Sequence, residues 1–418
     1  MDELTYTYTG NQLTAVADAG IDTVGFKDGH TGTDYAYDAN GNMVLDNNKE
    51  IDSIASNHLI LPALVRKTSG DYISYTYDAT GRKLTQRVFN NSDVLQKETD
   101  YLGAFFYEND TLKFINHAEG RVVMVEDQPE YQYHLKDHLG NVRMTFTTKE
   151  DQDIFQSDFE AATQPEFQNY GRNQFDLFDH TDAGSTYEYS QLLNGGNNLQ
   201  VGLAKTLSVM PGDTIKAELY AKYWNDGSTN GNLTGFASAL TTAFGLTSGM
   251  PGEPGLAYDA LDDYGTLIAG GWNHSEDANA PKAFLNILVF DRDYNFVDAA
   301  YRQIGADDEQ TSTPPTKDPH GYLSREVYIS QPGYVFIFLS NENPTQVDVY
   351  FDDLKVEHRK SPVVQVEDYY PFGLTFNSYS RENELQNKFK FNGIEHEDAL
   401  DLNVEHSFFR MYDPAMGR

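Results

Sequence analysis

The sequence contains no cysteine, which excludes disulfide bonds, thiolate metal ligands and a cysteine nucleophile. It also lacks any apolar run that approaches the roughly 18 to 20 residues needed to span a bilayer as a helix. Its first residues, MDELTYTYTG, have neither the basic nor the apolar segment of a signal peptide. We therefore expect no membrane insertion, and we expect that any export signal lies elsewhere or was removed.

Basic residues are scarce. The chain has 30 Lys and Arg against 64 Asp and Glu, which gives a formal charge of -34. The acidic residues are spread along the whole chain and are not gathered in a tail. Such a chain repels polyanions, so nucleic acid and anionic membranes are poor partners.

Tryptophan is also scarce, with 2 residues, whereas the chain has 28 Tyr, 25 Phe and 33 Gly. Aromatic residues favour strands, and glycine together with Asn and Asp favours tight turns. The composition therefore predicts an all-β fold with many short strands. At roughly 100 to 200 residues per domain, a chain of 418 residues has room for two to four units.

Three early segments share one template, in which two tyrosines at alternate positions precede a turn that contains glycine. They are residues 6–13, 35–43 and 75–84. Alternate residues of a strand lie on one face, where two tyrosines present a large aromatic area. We expect Gly41 and Gly81 to take the positive φ that hairpin turns require.

Further motifs follow in a fixed order: YQYHLKDHLGNVR at 131–143, YYPFGL at 369–374, KFKFNGIE at 388–395 and FRMYDPAMGR at 409–418. Together with the early repeats, they resemble the RHS/YD-repeat family, specifically its Bacteroidetes-type RHS repeat-associated core proteins. The resemblance covers residues 1–147 and 361–418. It implies a β-strand shell of the kind that encloses a C-terminal toxin, and a secreted or cell-surface protein. The residues that would complete the family's self-cleaving site after Asp413 are absent from this sequence.

The YD-repeat β-hairpin shell or sheet is interrupted in this chain. The DHLGNVR-like and YYPFG-like elements are near neighbours in uninterrupted members of the family, so residues 151–360 are predicted to be an insertion. Strand-like runs between turn signals, at 207–223, 283–291, 334–339 and 349–356, predict an inserted β-sandwich. The insert resembles the jelly-roll sandwiches of carbohydrate-binding modules. The segment 361–418 is expected to continue the repeat sheet.

Two metal-like patterns favour a structural interpretation. His134 and His138 would share one face of a helix and could bind a metal there, but the alternating tyrosines before them and the glycine after them favour a β-hairpin. The run from Asp291 resembles the start of an EF-hand loop. It has Phe296 where glycine is required and Arg302 where glutamate is required, so an EF-hand is excluded.

The jelly-roll resemblance implies a structural Ca²⁺ between a carboxylate of the first strand and one of the last. These positions correspond to Glu160 and to Asp352 or Asp353. Hard oxygen ligands suit Ca²⁺, while the alternative is that these are solvated carboxylates at the edge of the sandwich.

Four aromatic residues of the insert could present flat faces to sugar rings: Tyr220, Tyr223, Trp224 and Trp272. The alternative is that they belong to the core, as most aromatic residues at alternating strand positions do. No GxSxG, P-loop or HExxH pattern is present, and we predict that the chain is not an enzyme.

The sequence supports two hypotheses. In the first, the chain is a structural part of a secreted or surface RHS-type shell, whose partners are the remaining portions of a larger RHS polypeptide or its toxin cargo. In the second, it is a surface adhesin whose inserted sandwich binds surface glycans.

Overall fold

The computed structural model describes residues 2–20, 25–174, 178–180, 189–195, 199–225, 239–240, 242, 276–311, 320–343, 345–407 and 410–418. The chain forms two compact units. The repeat unit comprises Met1–Lys149 and Pro362–Arg418, and the insert comprises Glu150–Ser361. The sequence predicts the insert at 151–360.

The strands are numbered in chain order. The repeat unit begins with β1 (Leu4–Thr9), β2 (Gln12–Asp18), β3 (Tyr35–Tyr37), β4 (Met43–Asp46), β5 (Ile51–Ser56), β6 (Pro62–Lys67), β7 (Tyr72–Tyr77), β8 (Lys83–Phe89), β9 (Leu95–Leu102), β10 (Phe105–Glu108), β11 (Thr111–His117), β12 (Gly120–Val125), β13 (Gln128–Lys136) and β14 (Val142–Thr147). The insert contains β15 (Asp151–Ser157), β16 (Asn173–Gln174), β17 (Tyr189–Leu193), β18 (Val201–Val209), β19 (Thr214–Asn225), β20 (Ala283–Asp291), β21 (Phe296–Gln303), β22 (Gly321–Tyr328), β23 (Gly333–Asn341) and β24 (Val347–Lys360). The repeat unit ends with β25 (Val363–Tyr369), β26 (Thr375–Ser380), β27 (Glu395–Glu397), β28 (Val404–His406) and β29 (Met411–Tyr412).

The fold is all-β, as the sequence predicts: a sheet of β-hairpins interrupted by a β-sandwich. In the repeat unit, the described strands form a 14-stranded antiparallel sheet in the order β26-β25-β14-β13, followed by β12 to β3 in sequence. The hairpin β1-β2 and the three-stranded sheet β27-β28-β29 complete this unit. Because successive strands pair with one another, the sheet is a long meander.

One turn geometry recurs at the hairpins of the repeats. The Oδ1 atom of Asp78 accepts hydrogen bonds from the backbone N–H of Thr80 (2.8 Å) and of Arg82 (3.0 Å). Gly81 donates its N–H to the carbonyl of Asp78 and has a φ of 89°. Gly41 has a φ of 85° in the corresponding turn after Asp38. The positive φ predicted for both glycines is confirmed.

The sheet of the repeat unit passes from β14 directly to β25. These strands pair antiparallel with Phe146 opposite Val363, and the N–H of Thr147 donates to the carbonyl of Pro362 at 2.8 Å. The strands predicted to be neighbours are therefore hydrogen-bonded partners. Inside the insert, Asp151 of its first strand is paired with Lys360 of its last. Both ends of the insert thus lie side by side, as the replacement of a surface turn requires.

Apolar side chains of the last 35 residues complete the core of the repeat unit. Leu402 and Val404 pack with Ile51, Ile73 and Val88 of the large sheet. Met416 packs in a second cluster with Leu13, Val16 and Tyr35. We call residues 385–413 the C-terminal segment.

Polar groups at the tips of the repeat side chains bind the carboxylates of this segment. The hydroxyl of Tyr75 donates to Oε2 of Glu397 (3.2 Å), and that of Tyr101 donates to Oε1 of Glu395 (2.7 Å). The Nζ atom of Lys83 lies 2.6 Å from Oε2 of Glu395. Tyrosine therefore supplies an apolar ring for the core and a hydroxyl for a buried acceptor.

The insert is a sandwich of two antiparallel sheets among its described residues. One has the order β16-β17-β24-β19-β22, with β15 also paired to β24, and the other has the order β18-β23-β20-β21. Alternate residues of β19, namely Ile215, Ala217 and Leu219, point into the shared core together with Ile287 and Ile337 of the second sheet. Glu218 and Tyr220, at alternate positions to these, consequently lie on the outward side of the strand and are only partly buried. In the described part of the chain, no helix is long and apolar enough to cross a membrane.

A valine at position 81 should destabilise the chain by about 1 to 3 kcal/mol, because a β-branched residue is strained at this φ. A Cβ atom at Gly81 would also meet Cδ1 of Leu61 at 3.2 Å, whereas one at Gly41 meets nothing within 4 Å. Urea unfolding measures the decrease in the free energy of unfolding. Gly41→Val is the control for backbone strain alone, and an unchanged midpoint for Gly81→Val would contradict the role of this turn.

Replacing residues 150–361 by a short Gly/Ser linker should leave a soluble, β-rich chain that unfolds cooperatively. The pairing of β14 with β25 holds the two ends of the linker together, and loop closure costs only about 0.6 kcal/mol for each doubling of length. Circular dichroism and urea unfolding check this. Thr147→Pro in the shortened chain removes the N–H donated to Pro362 and should destabilise it. An aggregated or unfolded parent would show that the repeat unit depends on the insert.

Candidate functional site

The outward face of the β24-β19-β22 sheet carries a pair of tyrosines. Tyr220 of β19 is directly opposite Tyr322 of β22 in the strand register. Their ring centroids are 5.4 Å apart, and the ring planes are inclined by 53°. Tyr322 is 52% exposed although it is large and aromatic. We call Tyr220, Tyr322 and the adjoining Glu218 the tyrosine platform.

Glu218 fixes the orientation of Tyr322. Its Oε2 atom accepts a hydrogen bond from the Tyr322 hydroxyl at 2.6 Å, and it also pairs with Lys216. Lys355 of the neighbouring strand lies 3.5 Å from Oε1 of Glu218. Burial alone would raise the pKa of Glu218, but the hydrogen bonds from Lys216 and Tyr322 outweigh it and lower the pKa. Glu218 is therefore a carboxylate at neutral pH.

His180 covers one side of the platform. Its ring is stacked on Tyr220 with a centroid separation of 3.5 Å and an angle of 9°. The Nδ1 atom of His180 lies 2.6 Å from Oδ2 of Asp353, and its backbone N–H donates to Oδ2 of Asp352 at 2.7 Å. Beside these residues is an open depression of about 670 Å³ lined by Tyr220, Tyr322, Glu218 and Asp353. A flat ring with convergent polar groups suits a ligand that has both an apolar face and hydroxyls.

The four aromatic residues predicted to bind glycans lie in different environments. Tyr220 belongs to the platform. Tyr223 is in the core, where it is 4% exposed, its hydroxyl donates to the carbonyl of Ala306 at 2.9 Å, and burial raises its pKa to about 12. Trp224 is half-buried and pairs with Asp348, four positions along the strand from Tyr220. Trp272 lies outside the described residues.

The sequence did not single out Tyr322, Glu218 or His180. The alternation of residues 321–328 is the signal that could have placed Tyr322 on an outward face. Its position opposite Tyr220 depends on strand register, which the pattern of a single strand does not contain. His180 reaches Tyr220 from a different part of the chain.

Asp352 and Asp353 are placed by an irregularity in β24. Asp353 has a φ of 51°, and the core-facing positions change from Phe351 to Leu354 across it. Asp352 is fully buried on the opposite side of the strand, and its Oδ1 accepts the N–H of Asp353 at 2.7 Å. Burial raises the pKa of Asp352 to about 9, and the charges of Asp353 and Asp179 act in the same direction.

Glu160, expected in the first strand of the insert, lies three residues beyond the end of β15. Its Oε1 atom accepts the backbone N–H of Tyr189 at 2.8 Å. Nearby, the hydroxyl of Tyr170 donates to the carbonyls of Phe159 at 3.0 Å and Ala161 at 2.6 Å, and burial raises its pKa. Ca²⁺ takes six to eight oxygen ligands. The described residues contain no group of three or more acidic or histidine side chains placed to hold a metal, so Ca²⁺ at Glu160 and Asp352 or Asp353 stays a prediction.

The metal-like pattern of His134 and His138 in the repeat unit is built as a hairpin between β13 and β14. His134 lies in β13, where its Nδ1 is 3.0 Å from Oγ1 of Thr145 on the paired strand. Burial lowers the pKa of His134 to about 4. Asp137 accepts the backbone N–H groups of Leu139 and Asn141 at 2.9 and 3.0 Å, which is the recurring turn of the repeats. This geometry agrees with the structural interpretation of the motif.

The EF-hand-like run in the insert adopts that same turn. The Oδ1 atom of Asp291 accepts the N–H of Asp293 at 2.9 Å and that of Asn295 at 2.8 Å. The carboxylate thus caps a hairpin between β20 and β21. The resemblance to a calcium loop reflects a shared preference for Asp and Asn in tight turns.

No family model matches the sequence, and no curated protein matches it. Among solved structures, the CBM22-1 xylan-binding domain from Paenibacillus barcinonensis Xyn10C is 13% identical, with 51% of this chain and 99% of that chain covered and a TM-score of 0.24. A structure of TcdB2-TccC3 without its hypervariable C-terminal region is 11% identical, with 100% of this chain and 20% of that chain covered and a TM-score of 0.22. The Photorhabdus luminescens Tc holotoxin pore is 11% identical, with 99% and 20% covered and a TM-score of 0.22. This chain therefore spans about a fifth of the length of the Tc toxin chains.

The buried Asp352 should make the stability of the chain depend on pH. Its pKa is raised from 3.8 to about 9 on folding, so its stabilising contribution is complete below pH 3.8 and is lost as the pH rises towards 9. Asp352→Asn removes this contribution, so the variant should gain stability relative to the wild type, by a few kcal/mol, as the pH rises. Urea unfolding at several pH values in EDTA measures the difference. A difference that is constant with pH would contradict the buried, protonated state.

Proposed function

We propose that the chain is a non-enzymatic structural part of a secreted or cell-surface RHS-type shell, and that it assembles with the remaining portions of a larger RHS polypeptide or its toxin cargo. The observation that carries this proposal is the 14-stranded antiparallel sheet, which runs across the site of the insertion without a break. A meander of hairpins with a repeated turn can be extended by the addition of further hairpins. Such a sheet is suited to form the wall of a shell.

The use of polar residues in the repeat unit supports a structural role. Glu395 and Glu397 are each bound by tyrosine hydroxyls, and Asp78 and Asp137 cap turns. His134, whose pKa is lowered to about 4 by burial, is neutral at physiological pH and is bonded across the sheet. The hydrogen bonds of Asp78, Asp137 and His134 therefore serve the turns and the strand pairing of the sheet.

Electron microscopy of the complete polypeptide in which the chain occurs tests the structural role. We expect the strands of the repeat unit to continue into flanking hairpins of one larger wall. We also expect the purified chain to hydrolyse no common glycan, peptide or nucleic acid. Reproducible turnover that is abolished by a single substitution in the repeat unit would overturn the proposal, as would an isolated repeat unit in the micrographs.

A second candidate function is glycan binding by the insert, and the tyrosine platform favours it. The half-exposed ring of Tyr322 is held by its hydrogen bond to Glu218 at 2.6 Å, which lowers the entropy lost when a sugar stacks on it.

A Ca²⁺ bound near Glu160, Asp352 and Asp353 stays a prediction from the jelly-roll resemblance. If Ca²⁺ binds there, it should raise the melting temperature of the wild type and not that of Asp352→Asn.

Tyr322→Ala should weaken glycan binding about tenfold. An aromatic contact contributes on the order of 1 kcal/mol to the binding free energy, and more when the ligand covers the whole ring face. Tyr328→Ala is a matched control. Tyr328 is the same residue type on the same face of β22 and is 72% exposed, yet it pairs with Thr214 and lies about 20 Å from Tyr322 along the strand. A glycan array with the full chain identifies the ligand, and titration measures both variants. No bound glycan, or equal losses for both variants, would reject the platform as the site.

A further inference from the structure

A lysine and an aspartate from distant parts of the repeat unit meet in a half-enclosed site. The Nζ atom of Lys49, in the turn after β4, lies 3.0 Å from Oδ2 of Asp413, just after β29, and the two side chains are 18% and 7% exposed. Nζ also donates to the carbonyl of Leu402 at 2.7 Å. These contacts fix the amine against one side of the Asp413 carboxyl group.

The other oxygen of Asp413 points at backbone donors. Its Oδ1 atom accepts the N–H of Ala415 at 2.9 Å and that of Met416 at 3.3 Å. Two N–H groups on one oxygen are the arrangement that stabilises a negative charge on a carbonyl oxygen during acyl transfer. If a nucleophile attacks Cγ of Asp413, these two N–H groups are placed to hold the charge that develops on Oδ1.

A second carboxyl group lies beside this pair. Asp46 is 3% exposed, and its Oδ1 accepts the backbone N–H of Lys49 at 3.1 Å. Asp46, Lys49 and Asp413 line one cavity of about 500 Å³. Burial raises the pKa of Asp46 to about 6. A group that is close to both partners and titrates near neutral pH is suited to carry a proton between them.

We propose that Lys49 and Asp413 join through an isopeptide bond, with Asp46 as the proton-transfer residue. The lone pair of Nζ attacks Cγ of Asp413, and the new C–N bond replaces the bond between Cγ and Oδ2. The ammonium group of Lys49 first passes one proton to Asp46, which frees the lone pair, and Nζ loses a second proton after the attack. Both protons leave with Oδ2 as one water molecule, and the amide nitrogen keeps one hydrogen. The backbone N–H groups of Ala415 and Met416 hold the charge on Oδ1 in the intermediate. The reaction needs no oxidant, reductant or further reactant.

A second close pair of the repeat unit, Lys83 and Glu395, lacks this combination. Lys83 is 2.6 Å from Glu395, but its Nζ lies over the ring of Tyr101 at 4.5 Å, and the other oxygen of Glu395 is bound by a hydroxyl and not by two backbone N–H groups. The bond at Lys49 would fasten the first repeats covalently to the end of the C-terminal segment. It would thereby provide a crosslink in a chain that has no cysteine.

Peptide mapping of the purified full chain tests the proposal. After trypsin digestion, we expect residues 411–418 to be joined to a peptide that contains an uncleaved Lys49, with a mass one water molecule below the sum of the two. Lys49→Arg should release 411–418 as a free peptide. Asp46→Asn should slow formation of the bond about a hundredfold. Lys83→Arg is the matched control and should leave the crosslink in place.

The wild-type map decides the main point whether or not the variants fold. A free 411–418 peptide as the only form, with trypsin cleavage after Lys49, would overturn the isopeptide bond. An unchanged rate of bond formation in Asp46→Asn would overturn the role of Asp46. A crosslink that is lost only in Lys49→Arg and is retained in Lys83→Arg would establish the pair.

Discussion

The pairing of β14 with β25 is the interaction on which the organisation of this chain depends. It brings Phe146 and Val363 together although 216 residues separate them, and the bond from Thr147 to Pro362 continues the ladder to its end. The two ends of the insert must therefore lie close together. They do so because its first and last strands pair with each other, with Asp151 opposite Lys360. Each unit can therefore bury its own core, because neither has to donate a strand to the other.

Buried polar contacts explain why the repeats use tyrosine. A phenylalanine at position 75 or 101 would fill the same space but would leave Glu397 or Glu395 without its hydroxyl donor. A buried charged acceptor that lacks its hydrogen bond destabilises the fold by more than the hydrogen bond stabilises it when it is present. Arg121, which is fully buried and donates to the carbonyl of Gln386 at 3.0 Å, extends the same principle to the backbone of the C-terminal segment. The repeats therefore specify which segment covers them as well as supplying apolar area.

In the insert, a single irregular residue links the core to the outer face. The positive φ of Asp353 shifts the alternation of β24, which buries Asp352 behind the sheet face and brings Asp353 to His180. His180 in turn stacks on Tyr220 and leaves Tyr322 as the exposed ring of the platform. The platform thus depends on backbone geometry two strands away from Tyr322.

The sequence by itself determined the all-β class, the hairpin turns at Gly41 and Gly81, and the partnership of the strands around residues 146 and 363. The class and the turns follow from local rules, because alternation defines a strand and a turn that needs positive φ selects glycine. The strand partnership was expected from the resemblance to the RHS/YD-repeat family, in which the corresponding motifs are near neighbours in sequence. Tertiary structure alone decided that Tyr223 is core while Tyr220 is displayed, that Tyr322 stands opposite it, and that Lys49 meets Asp413. The physical reason is that strand register and the packing of distant segments set these neighbours, and neither leaves a periodic signal in the chain.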